Sequence, residues 1–148
     1  MPATSPLQRV LAWRLFSRPH ELDRTADIII WWELRRLPYN LVVGATGLVT
    51  GCITLLVAAM ASWKFDEPLG LPDPPIFAVF AVFAYGIMAN VCFTGGWMAE
   101  IIVRRAWGAR AGAFGEITFF LGMLFSIILT LVPAMIFTAL LVLRLLLH

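Results

Sequence analysis

Three long runs of apolar residues without charge dominate the chain. Residues 39–63 (YNLVVGATGLVTGCITLLVAAMASW) and 76–98 (IFAVFAVFAYGIMANVCFTGGWM) carry no Asp, Glu, Lys or Arg. Residues 117–147 carry one, Arg144. None of the three alternates with the period of a half-buried strand, and each is apolar on all sides, the pattern of a helix surrounded by apolar material. As a helix, 39–63 is roughly 37 Å long, enough to cross a ~30 Å hydrocarbon core with tilt. A helix keeps every backbone hydrogen bond within its own segment, which is the condition for crossing lipid. Tyr39 and Trp63 bracket the first run as interfacial rings do.

The segments between the runs sharpen the boundaries. Pro38 precedes the first. After it comes KFDEPLGLPDPP, a polar loop stiffened by prolines, with Asp66, Glu67 and Asp73 read as solvated acids. Pro75 fits the first turn of the second helix, and Glu100 and Arg104 form an i,i+4 pair that extends it. AWGARAGAFG is a flexible turn. The last run would be about 46 Å as one helix. Two spans need at least ~34 residues plus a turn, so one long span, kinked at Pro133, is expected over a re-entrant hairpin at that proline. Ahead of the first run, 28–37 (IIIWWELRRL) sets Trp31 and Trp32 beside Arg35 and Arg36, a composition suited to the headgroup layer. Residues 7–20 read equally as part of this interfacial segment or as a short soluble amphipathic arm. The expected fold is an all-α integral membrane protein with three transmembrane helices and an N-terminal interfacial helical segment. Residues 1–38 form the arm, and 39–148 form the membrane domain, with spans at about 39–63, 76–98 and 117–143.

Composition agrees and excludes alternatives. Of the 148 residues 61% are hydrophobic and 14% charged, with mean hydropathy +0.88, whereas soluble domains are about half apolar and a quarter charged. The net charge is only +2, but its distribution is informative. Arg9, Arg14, Arg18, Arg24, Arg35 and Arg36 precede the first run, and Arg104, Arg105 and Arg110 lie between the second and third. Lys64 alone lies between the first and second. The excess of basic residues on one side predicts a cytoplasmic N-terminus and an outside C-terminus in a plasma or inner membrane, the first span acting as an uncleaved anchor. The pairs Arg35–Arg36 and Arg104–Arg105 are expected to meet anionic lipid headgroups on the cytoplasmic side. No nucleic-acid patch is indicated.

Candidate chemistry is sparse. No ionisable residue falls well inside an apolar run, whereas proton relays, ion-coupled transport and voltage sensing depend on such groups. His20 and His148 lie outside the runs, and Cys52 and Cys92 form no ligand motif. No catalytic, metal or cofactor site is therefore expected. A lipid-active enzyme using Glu33, Glu100 or Glu116 lacks a nucleophile at useful spacing. What the runs do carry is small and polar residues at helical spacing: Gly47 and Gly51; Gly86, Asn90 and Thr94; and Gly122, Ser126 and Thr130, continued by Ala134 and Thr138. Such ridges pack helices closely within a chain or between chains. Asn90 is expected to bond Thr50, Thr54 or a backbone carbonyl, with a ligand site shared with Tyr85 and Thr94 as the sharper alternative. These features suggest a structural or accessory subunit that associates with itself or with a larger membrane complex. The alternative is an oligomeric pore lined by Thr46, Thr50 and Thr54.

Overall fold

The computed structural model describes residues 24–65 and 76–147, and all of its regular structure is helical. Helix α1 spans Thr25–Phe65, α2 spans Ile76–Trp107, and α3 spans Phe114–Leu147, with a short 3-10 turn at Gly108–Ala111 joining α2 to α3. All three helices are long and apolar enough to cross a membrane. Residues 7–20 and the acids Asp66, Glu67 and Asp73 lie outside the described residues.

The helix ends follow from local chemistry. The backbone N–H groups of Asp27 and Ile28 donate to the Arg24 carbonyl and open α1. Asp27 and Glu116 occupy first turns, while Lys64, Arg104, Arg105 and Arg144 occupy last turns, so charge opposes the macrodipole at each of these ends. The α2–α3 connection turns sharply because Gly108 and Gly112 adopt positive φ, 54° and 29°, where a Cβ would be strained.

Two boundaries differ from the sequence expectation. Pro38 does not separate an interfacial segment from a span, because α1 runs through it. A proline inside a helix removes one backbone bond and costs about 3 kcal/mol. Buried Trp31 and Trp32 before it and buried Tyr39 and Val43 after it supply the packing that holds the helix together. Pro133 likewise lies inside a continuous α3, which rules out the hairpin.

The chain divides into two compact units, and each helix contributes to both. The first comprises residues 24–40 and 89–125 of the described chain. Its core is aromatic. Trp32 meets Phe93 and Phe119 edge-on at 5.3 and 5.7 Å between centroids, and Trp31 meets Phe119 at 5.9 Å. Tyr39 closes on Phe93 at 5.0 Å. Such pairs contribute roughly 0.5–1.5 kcal/mol each beyond the area they bury. Gly96 makes room for this core, since a Cβ there would lie 2.7 Å from the Trp32 ring. Trp31 and Trp32 are therefore buried in this core, a packing role that their composition did not reveal. Composition shows that an aromatic is present, not which way its helix is turned.

The second unit comprises residues 41–65, 76–88 and 126–147. It is built from smaller side chains. Ala61 and Leu141 are buried together, with Val57, Phe65 and Phe137 packed around them. Gly47 lets α1 approach α3, where a Cβ would sit 3.7 Å from Thr130 Cγ2.

Candidate functional site

The polar side chains gather at three points. At the first, Glu100 of α2 is 0% exposed. Its carboxylate accepts a hydrogen bond from the indole N–H of Trp32 at 2.7 Å and another from Arg104 Nε at 2.8 Å. Gly115 of α3 lies directly against the same carboxylate, and any Cβ at that position would collide with it. The pair with Arg104 is the one expected from i,i+4 spacing. The burial and the indole partner on α1 are not visible in that spacing.

At the second point the Arg36 guanidinium grips Glu33 with two parallel bonds of 2.7 Å from Nε and Nη2. It also donates to Asn90 Oδ1 at 3.3 Å and to Thr94 Oγ1 at 3.1 Å, and lies 4.9 Å over the Phe93 ring. The Asn40 and Asn90 amides bond reciprocally at 3.2 and 3.1 Å.

The third point, in the second unit, is neutral. The hydroxyls of Tyr85 and Thr130 are 2.6 Å apart, and either can be the donor. Both also reach the Ser126 carbonyl, at 3.0 and 2.6 Å. The ridge residues Ser126 and Thr130 thus serve one Tyr85 contact.

These contacts fix the register within the first unit and revise two expectations. Trp32 meets Glu100, Arg36 meets Thr94, and Asn40 meets Asn90, so α1 and α2 run antiparallel there. Asn90 therefore bonds Asn40 and Arg36, not Thr50 or Thr54. Thr54 donates to the carbonyl of Thr50, and the buried Thr50 hydroxyl has no partner among the described residues. The register also sets the charge of Arg36 against Asn90 and Thr94, inside an otherwise uncharged run. Charge read along one helix does not report what a neighbouring helix presents at the same level.

The remaining candidates fall in different surroundings. A side chain at Gly51, Gly86 or Gly122 would meet nothing within 4 Å, so these three, unlike Gly47, mark no close approach within the described chain. Of the headgroup arginines, Arg36 and Arg104 are engaged as above. Arg35 donates to the Trp31 carbonyl at 2.9 Å and stacks 4.0 Å over the Trp31 ring. Arg105 is exposed. Among the described residues no three of His, Cys, Asp and Glu converge, so they assemble no metal-ligand set. The contacts that sequence reading missed are Trp32–Glu100 and the Gly96 and Gly115 clearances; the adjacent glycines Gly95–Gly96 opposite a tryptophan-rich segment were the available signal.

Comparison with known protein families, with curated proteins and with solved structures finds no match.

Proposed function

We propose that this chain is a small multi-pass membrane protein acting as a structural or accessory subunit through helix–helix association, with no catalytic chemistry of its own. Its N-terminus is cytoplasmic and its C-terminus outside, and its basic residues meet anionic headgroups. The observation that carries the reading is the direction in which the side chains are turned. The polar groups at the three points described above bond one another within the chain, while large apolar side chains such as Leu48, Phe83, Ile87 and Phe125 are exposed. Among these, Gly86 and Gly122 are exposed positions with open space around them. In lipid, association depends on close backbone approach and on contacts between helices, and glycine on an outer face permits both. The pore alternative draws no support from this geometry, since the hydroxyls of Thr46 and Thr54 donate to carbonyls of their own helix.

The test is purification of the full chain in mild detergent, with mass measurement and identification of what remains bound. Association predicts either a self-assembled species or a stoichiometric membrane partner. Gly86→Leu and Gly122→Leu, which have room within the chain, should weaken that association and leave the helical content unchanged. A single chain without partners in mild detergent would contradict the reading, and ion flux through reconstituted liposomes would replace it with the pore.

A further inference from the structure

The structure separates two pairs of arginines in the first unit. Arg36 and Arg104 have carboxylate partners, Glu33 and Glu100. Arg105 and Arg110 are exposed and have no hydrogen-bond or ion-pair partner among the described residues. Between them lies Trp107, 60% exposed at the last residue of α2. The acids at this end, Asp27 and Glu116, are half-buried in first turns, where helix N-termini favour negative charge. Arg24 reaches the same end. It lies eight residues before Trp32, and Trp107 lies seven after Glu100, so in antiparallel helices both stand roughly 10–12 Å beyond the Trp32–Glu100 contact.

The turn carrying these residues is held in place. Gly108 and Gly112 bend it, and the Gly112 carbonyl accepts a hydrogen bond from Arg104 Nη2 at 3.4 Å while Arg104 Nε is bound to buried Glu100. Arg104 thus anchors the turn and leaves its neighbours outward. We propose that the α2–α3 turn is a binding surface for an anionic phospholipid headgroup, with Arg105 and Arg110 on the phosphate and Trp107 seated at the headgroup level. An indole beside two unpartnered guanidinium groups suits a membrane surface better than a soluble anion, because the ring favours the interface and the charges attract acidic lipid. The proposal rests on the reading that basic residues of this chain face anionic headgroups. It narrows that reading from four arginines to one turn, with Arg110 added and Arg35, Arg36 and Arg104 removed.

The experiment uses the full chain in phosphatidylcholine vesicles with and without phosphatidylglycerol. Quenching by brominated phosphatidylglycerol is compared with quenching by brominated phosphatidylcholine, and subtraction of a Trp107→Phe variant isolates Trp107. Phosphatidylglycerol should quench Trp107 more strongly, less so as salt rises. The double variant Arg105→Gln/Arg110→Gln should lower the relative affinity about 25-fold, because each basic side chain at an anionic surface contributes about fivefold. Arg105→Lys/Arg110→Lys should retain the preference and controls for misfolding. An unchanged preference in the Gln variant overturns the proposal. So does loss of the preference on adding inorganic phosphate at matched ionic strength, which would reveal a soluble-anion site. If only Arg35→Gln abolishes the preference, the anionic-lipid reading stands and the turn is wrong. If the wild-type chain has no preference, both fall.

Discussion

The two units solve the same packing problem with different chemistry. Residues 24–40 and 89–125 pack around large rings and enclose a carboxylate, beside a half-buried guanidinium and a pair of half-buried amides that bond across helices. Residues 41–65, 76–88 and 126–147 pack through Ala58, Ala61, Ala134 and Gly47, and the neutral Tyr85–Thr130–Ser126 cluster is a cross-helix polar contact among them. The difference matters because lipid supplies no hydrophobic force between helices. Small residues let backbones approach but specify register weakly, since one alanine fits much like the next. A buried carboxylate between an indole and a guanidinium is satisfied in one register only. Buried polar groups retained for specificity are best attested where they fix register, and Glu100 fits that role.

The largest effect should come from breaking that contrast at Glu100. Glu100→Ala leaves the partly exposed Arg104 without its carboxylate and removes the acceptor of the Trp32 indole, a loss of about 3 kcal/mol, the lower end for one half of a buried pair, measured by denaturant unfolding in detergent. Gly115→Ala, which forces the same carboxylate aside, should cost about 1–3 kcal/mol as an overpacking change, as should Gly96→Ala against Trp32. Gly51→Ala, at a position with nothing within 4 Å, should cost almost nothing in the same assay. In the second unit Thr130→Val removes a neutral contact and should cost about 0.6 kcal/mol, the average found for such bonds in membranes. A cost equal to that of Glu100→Ala would erase the distinction between the units.

How much of this was legible in the sequence differs between the units. The second follows closely from pattern, since its helices carry charge only near their ends, at Lys64 and Arg144, and its small residues recur at helical spacing. The first was less legible because its decisive contacts join distant residues. Trp32 and Glu100 are 68 positions apart, and neither hydropathy nor periodicity reports the rotation of one helix against another. Trp31, Trp32, Arg35 and Arg36 have the composition of an interfacial segment. Only the packing of α2 and α3 shows that both indoles are buried and that Arg36 reaches Asn90. The same limit hid the difference between Gly47, which faces Thr130, and Gly51 one turn later, which faces open space.

The most direct test of inward-turned polar groups is a double-mutant cycle between Trp32→Phe and Glu100→Gln, each measured for unfolding free energy in detergent. Groups in direct contact couple by about 0.5–3 kcal/mol, and the 2.7 Å bond between these two across α1 and α2 predicts a coupling in that range, with the double variant less destabilised than the two single losses combined. Strict additivity, with the cost of Glu100→Gln unchanged by the loss of the indole N–H, would contradict the contact, and with it the register of α1 against α2 and the burial of Glu100.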